Sequence, residues 1–491
     1  MKRIISLVLA LATLAISLAV FTACAEKENT KKPGNTTDDV ENQEDNYMVD
    51  QYDFGGDTIT FPIFGSDSWY LNVEEKVGET VEDAVYDRDQ LVKERLNVEI
   101  DTVPIGNWEE YKSSISTVLQ AGDDDYDVIL GQQANQISLC LDGYLLDLND
   151  LGEYNAAGIL NFEGDHWDDE YMEFYEFGNA RYWLSGGFFT PLLGYIYCTF
   201  VNKTLYDKNF EQTYGDIYDL AYSGKWTLDV MAQMSSTIYN DVNGSEKLDA
   251  GDIVGWNYAS ASSCLMMGFL MGAGLVASTK NADGSINFLV TSTNTNNIEV
   301  IQKLNRTFTT TTGMAFDMGA SPSGQSQFIE GNQLFFCGLF EHLNNFREMQ
   351  DDFYIIPMPK FDENQTDYRS AVDDNNMIIG IPYCCADVQA SVATIELLAY
   401  LAKKMVNDVY YGEALKYKFT RDDKAAEMID FITAQMCTDF VFIWERWIFG
   451  EHWLRYNILP NPVSQIKKKE KDWIATFNET IKSLEGVKAG A

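Results

Sequence analysis

Apolar residues alternate with polar ones at Ile59, Phe61 and Ile63, and Gly65-Ser66-Asp67-Ser68 then breaks the pattern. Thr58 to Phe64 therefore reads as a strand followed by its exit loop. The period changes next: Val81, Ala84, Val85, Leu91 and Val92 recur at near-helical spacing and Asn97 closes the run. Val98 to Val103 again suits a strand, and Tyr111, Ile115, Val118 and Leu119 form a second helical stripe stopped by Gly122. The short run Val128-Ile129-Leu130 is apolar on both faces, as a strand inside a parallel sheet is. This strand-helix-strand-helix-strand order implies right-handed crossovers and a doubly wound α/β lobe.

In such sheets ligands gather beyond the carboxyl ends of the strands, where helix N-termini and loop amides converge. That rule selects Gly65 to Tyr70, Pro104 to Trp108 and Gly131 to Gln136. A second α/β pattern starts near Gly194, where the mainly apolar Tyr195 to Val201 precedes Asn202-Lys203, and a helix is expected after Trp226-Thr227. A late helix from Asp387 to about Val406 shows Val388, Val392, Ile395, Ala399, Ala402 and Val406 at helical spacing. The chain has no internal repeat.

The N-terminus carries a different signal. Lys2 and Arg3 precede an apolar run from Ile4 to Val20 that ends in small residues before Cys24, which reads as an export signal. Phe21-Thr22-Ala23-Cys24 resembles the lipobox of bacterial lipoproteins, in which the cysteine becomes the acylated N-terminus, although Phe21 departs from the usual aliphatic residue and ordinary secretory cleavage that discards Cys24 is the competing reading. The polar stretch from Cys24 to about Gln51 cannot bury enough apolar surface to fold and is expected to be a flexible tether. No later stretch is an apolar span of ~20 residues.

About 440 residues remain, enough for two or three lobes at ~100–200 residues each. A net charge of −40 argues against nucleic acid as a partner, since binding it needs clustered Lys and Arg. Of the eight cysteines, Cys24 is assigned to the lipid, and the other seven lack both an even count and metal-site spacing. Adjacent Cys384 and Cys385 read as two small half-buried side chains in preference to a strained disulfide. Only His166, His342 and His452 are present, widely separated, which argues against histidine-based catalysis or zinc.

Asp352-Phe-Tyr-Ile-Ile-Pro-Met-Pro-Lys-Phe-Asp-Glu-Asn-Gln365, with Tyr368 following, resembles a block of the extracellular solute-binding proteins of the maltodextrin-binding type. Gly78 to Arg88, the Gly224-Lys-Trp-Thr-Leu segment, Phe328-Ile-Glu-Gly-Asn332, and Tyr410-Tyr411 with Leu415 to Lys418 support it, in matching order from about Phe54 to about Trp473. The resemblance implies a two-lobed, type II periplasmic-binding-protein-like fold whose chain crosses a shared hinge three times, near Phe188 to Gly194, Arg369 to Asn375 and Lys418 to Asp423. The domains expected are a signal at 1–23, a tether at 24–51, a first lobe of 52–190 and 373–420, and a second lobe of 191–372 and 421–491. The late strand-like Met377 to Ile381 and its helix then return to the first lobe. The function implied is capture of a carbohydrate by a monomeric, lipid-anchored receptor outside the cell membrane, and its delivery to an ABC permease, with no cofactor required.

Sugars present apolar C–H faces and rings of hydroxyls, so a site for them needs amphipathic aromatics with amides and carboxylates around them. Trp69 lies in the first exit loop beside Asp67, where an aromatic has no obvious core duty. Gln132, Gln133 and Asn135 follow the buried strand, in a loop that contributes polar contacts in the resembling family. Trp256 and Tyr258 fall in a region that faces the cleft in that family, and Phe340 and Glu341 fall where it often supplies a stacking aromatic and a polar neighbour. Trp444 and Trp447 are three apart on an expected helix, and Trp444 joins the candidates. A core role is the competing reading for every one of these aromatics.

Asp241, Asn243, Ser245, Asp249 and Asp252 stand at positions 1, 3, 5, 9 and 12 of a calcium-loop pattern, with Glu246 at the sixth position, where Gly is usual. A structural calcium ion is one reading of this loop and a plain acidic turn the other. The rival functions are a secreted glycoside hydrolase using carboxylates such as those of Asp165 to Glu170, a surface glycan-binding or sensor lipoprotein, and a receptor for another solute.

Overall fold

The computed structural model describes residues 47–64, 70–106, 108–178, 180–186, 191–246, 249, 251–258, 265–316, 324–346, 349–407, 409–410, 423–457 and 461–490. The signal, the lipobox and most of the tether lie outside the described residues, as do Asp67 and Trp69. The described strands and helices all fall within one unit, Met48–Ala491.

β1 (Asp57–Phe64) buries Ile59, Phe61 and Ile63, and runs parallel to β2 (Val98–Ile105) with Asp57 opposite Val98 and Phe64 opposite Ile105. The crossover is the helix Thr80–Leu96, which buries Val85, Val92 and Leu96 against the sheet side. It stops at Asn97, whose φ of 49° is left-handed and whose N–H returns to the Lys93 carbonyl, a conformation asparagine tolerates. The helix Trp108–Ala121 leads on to β3 (Ile129–Gln132), tied to the free edge of β1 where the Asp127 and Val128 amides donate to the Thr60 carbonyl.

The chain then passes into a second half built on β4 (Tyr197–Asn202), β5 (Trp256–Tyr258), β6 (Ser278–Lys280), β7 (Ile286–Phe288), β8 (Met314–Phe316), β9 (Phe335–Leu339) and β10 (Phe353–Ile356). β4, buried along its whole length, pairs antiparallel with β9 on one side and β10 on the other. Leu334 and Phe335 amides donate to the Val254 and Gly255 carbonyls, tying the start of β9 to the segment that leads into β5, and β5 runs parallel to β8. The strands thus form a three-stranded sheet, β10-β4-β9, beside a two-stranded one, β5-β8. The expected helix after Thr227 is Leu228–Ile238, with the Thr227 side chain accepting from the Val230 amide as its N-cap.

β11 (Ser370–Ala371) leads out of this half, and β12 (Met377–Gly380) pairs antiparallel with β3, Met377 opposite Gln132. This late strand and the following helix Val388–Leu401 therefore complete the first half. Asp387 caps that helix, its Oδ1 accepting from the Ala390 amide at 2.9 Å. The helix widens into a π turn over Ala402–Asn407, where Ala402 and Val406 pack on Val85. The helix Asp423–Thr433 and β13 (Met436–Cys437) belong with the second half, and β13 runs parallel to β11. With Val372 bridging Ile196, these segments form the hinge. The third expected crossing, Lys418 to Asp423, lies almost wholly outside the described residues. Cys384 and Cys385 are both free thiols. Among the described residues no helix is long and apolar enough to cross a membrane.

Candidate functional site

The carboxyl end of β3 meets the hinge. Gly131 is required there, because a Cβ would come within 2.7 Å of the Tyr111 ring and 2.8 Å of Gln136 Cγ. Beyond it Gln132 is half-buried, but Gln133 turns fully inward. Its Oε1 accepts from Tyr175 Oη at 2.6 Å, from Asn376 Nδ2 at 3.0 Å and from Tyr171 Oη at 3.3 Å. Its backbone N–H donates to the Asn376 carbonyl, and that of Ala134 to the Asp374 carbonyl. Of the three expected ligand amides, Gln133 is thus a brace between strand exit and hinge. The Asn135 side chain lies outside the described residues.

The hinge tetrad Asp373-Asp374-Asn375-Asn376 carries charge into the interior. Tyr197 Oη donates to Asp373, whose other oxygen accepts from Asn375. Asp374 accepts from Arg455 Nη1 at 2.9 Å, and Arg455 Nε donates to Glu445 at 2.7 Å, all three side chains being almost fully buried. Burial and the neighbouring Asp374 charge push the Asp373 carboxyl up, against the pull of Arg455. Burial alone would raise Asp374 too, but the charges of Arg455 and His452 outweigh it and hold this carboxyl below its usual value. The two neighbours titrate as a pair. Sequence patterning held no sign of this network, since its members are scattered from Gln133 to Arg455.

The expected aromatics divide by environment. Trp256 is 1% exposed and stacks on Phe308 at 4.6 Å, with Phe269 edge-on at 5.4 Å, which makes it a core residue. Phe340 is fully buried, Glu341 is exposed, and the Tyr258 side chain lies outside the described residues. Trp444 is also core, stacked on Phe440 at 5.8 Å. Trp447, one turn on, is 46% exposed, and Lys112 from the first half places its ammonium 5.8 Å from the ring centroid. Lys112 also donates to Ser138 Oγ at 2.5 Å; burial lowers its pKa, against the opposing charge of Asp142. Trp447 and Lys112 thus bring the two halves within contact of one another beside the strand exits.

The stretch Asp165 to Glu170 is anchored in the first half. His166 Nε2 lies 2.8 Å from Glu396 Oε1, and Trp167 Nε1 donates to Glu396 Oε2 at 2.9 Å. In the Asp241–Asp252 loop, Asp241 accepts from the Gly244, Ser245 and Glu246 amides, and Asn243 and Ser245 both donate to Asp249. Asp252, fully buried, accepts from the Val242 and Asp249 amides. Glu246 holds a φ of 56° where the calcium-loop pattern has glycine. Among the described residues no group of three or more His, Cys, Asp or Glu is placed to hold a metal ion.

No family model matches the sequence, and no curated protein does. Solved structures do. The galacto-N-biose/lacto-N-biose I-binding protein of a Bifidobacterium longum ABC transporter, in complex with lacto-N-biose, matches with a TM-score of 0.55 and 14% identity over 88% of this chain and 98% of its own. An ABC substrate-binding protein from Listeria monocytogenes in complex with cycloalternan gives 0.53 and 12% over 88% and 99%. The maltotriose-binding protein of Thermus thermophilus gives 0.52 and 12% over 86% and 100%. At such identities the likeness is one of fold, and it spans nearly the whole length of each of these proteins. The chain therefore has the two-lobed α/β fold of the extracellular solute-binding proteins of the maltodextrin-binding type.

Proposed function

We propose that this protein is an extracytoplasmic receptor that captures a carbohydrate, most simply an oligosaccharide, between its lobes and delivers it unaltered to an ABC permease. The observation that carries the reading is Trp447, a large aromatic left 46% exposed beside the hinge while Trp256 and Trp444 are packed away. Its flat face suits the C–H face of a sugar ring, and Gln132 stands half-buried at the β3 exit. Support comes from the fold, shared with receptors solved in complex with lacto-N-biose, cycloalternan and maltotriose. Closure of the two halves about the β11–β13 hinge would hold the ligand through contacts to both.

In this reading Cys24 carries the lipid, the chain acts as a monomer, and the stretch from Cys24 to about Gln51 tethers it near the permease at high effective concentration. Replacing Cys24 by Ser would then release the protein into the medium, and continued membrane attachment would remove the anchor. A calcium ion in the Asp241–Asp252 loop would serve only to brace the second half.

A thermal-unfolding screen over mono- and oligosaccharides tests the central reading. A ligand that binds only the folded state raises the melting temperature as its free concentration rises. At least one sugar is expected to do so, and to be recovered intact. Sugars that leave the melt unmoved, or that are hydrolysed, would contradict the reading.

A further inference from the structure

A cavity of about 410 Å³ lies beside the hinge, within the roughly 300–1,000 Å³ of small-molecule sites. None of its lining residues belongs to the exit loops of β1, β3, β5 or β9, so it is separate from the face that bears Gln132 and Trp447. Glu173, Phe174 and Glu176 wall it from the first half; Val276, the β6–β7 hairpin, Arg369 and Cys437 to Phe440 wall it from the second half and the hinge. Lys280 crosses between them, donating to the Glu173 carbonyl at 3.4 Å.

Its charges do not cancel within the wall. The Glu176 carboxylate is already neutralised by Arg181 at 2.6 Å. Asp439 is consumed inside the second half, accepting from the Ala277 amide, Ser278 Oγ and the Phe442 amide. Glu173 is solvent-exposed at the rim. Half-buried Arg369, by contrast, has no carboxylate within ion-pair distance among the described residues and meets only the Cys437 thiol. Lys280, solvent-exposed at the mouth like Glu173, pairs with a carbonyl and no carboxylate. Phe174, Val276, Ile286 and Phe440 supply apolar walls around these two cations. Of the two cations only Arg369 is drawn into the wall, and burying a guanidinium without an anion is unfavourable unless a ligand supplies one.

We propose that this cavity is a second binding site, for a small organic anion with an apolar body. Its carboxylate or similar group pairs with Arg369, with Lys280 closing the mouth, and its apolar part lies against Phe174 and Phe440. The site does not depend on sugar capture, because binding is read with no sugar present.

The test uses the full mature chain and benzoate as the probe, followed by isothermal titration and thermal unfolding. Saturable binding is expected, with benzyl alcohol, the uncharged counterpart, at least tenfold weaker. Arg369→Met should weaken benzoate at least tenfold. Val276→Trp, which fills the cavity without touching a charge, should abolish it and carries the test should Arg369→Met fail to fold. No benzoate binding at tens of millimolar, benzyl alcohol binding equally well, or undiminished binding in Val276→Trp would each overturn the proposal.

Discussion

Trp444 and Trp447 stand three residues apart in the sequence, yet one stacks on Phe440 in the core at 1% exposure and the other lies 46% exposed beneath Lys112. Residues at that spacing share a helix face only while the helix continues. Here a short helix ends at Ile443, Trp444 is the junction, and the next helix begins at Glu445, so the faces are reset. Trp447→Ala should weaken sugar binding at least tenfold, about 1.4 kcal/mol, and shift stability by less than about 0.5 kcal/mol, as exposed positions do. Trp444→Ala and Trp256→Ala should each cost about 3–5 kcal/mol of stability. Calorimetric titration beside urea unfolding separates the two effects; a stable Trp444→Ala that has lost sugar would reverse the assignment.

Much of the first half was legible from periodicity. β1, β2, the helix Thr80–Leu96 with its Asn97 stop, and the helix stopped by Gly122 appear where alternation and helical spacing place them. Both signals are local, and so are the caps that end them. The place of β12 was not local, because a strand about 250 residues after β3 announces its partner in neither its own pattern nor β3's; the family resemblance supplied it. The site was harder. Composition promises aromatics for a sugar, but exposure depends on tertiary neighbours, so Trp256 went to the core and Gln133 to the hinge brace. Asp67 and Trp69 lie outside the described residues.

Burial pushes the Asp168 carboxyl up to about 6, with the Lys403 charge opposing. The protonated form is therefore favoured by folding. The contribution of this group is fully present below its unfolded pKa of roughly 3.9 and is lost as pH rises through about 6. Asp168→Asn should flatten the fall in stability over that window relative to the parent. Urea midpoints measured from pH 4 to pH 7 check this, and parallel profiles for the two proteins would refute it.

Arg455 answers two buried carboxylates, Asp374 on the hinge and Glu445 in the second half. Arg455→Met removes the cation and leaves both uncompensated, at an expected cost of about 3–5 kcal/mol, whereas replacing all three by apolar residues should cost much less. Chemical denaturation of the single and triple variants measures the difference. A near-neutral Arg455→Met would mean that the carboxylates are protonated or hydrated and that the network is not an ionised one.

The Asp241–Asp252 loop satisfies its carboxylates with its own amides, and Glu246 holds a left-handed φ of 56°. A calcium ion would have to share these oxygens. If it binds, titrating calcium into chelator-treated protein should release heat and raise the melting temperature, and Asp241→Ala should abolish both. Absence of heat and of any shift in melting would identify the loop as an acidic turn.

The central claim is that two halves close on a sugar about the hinge at β11 and β13. Small-angle X-ray scattering of the protein, alone and saturated with the sugar found to stabilise it, addresses this directly. A smaller radius of gyration in the saturated sample, with no such change in Trp447→Ala at the same sugar concentration, is the predicted result. An identical radius with and without bound sugar would contradict capture by closure.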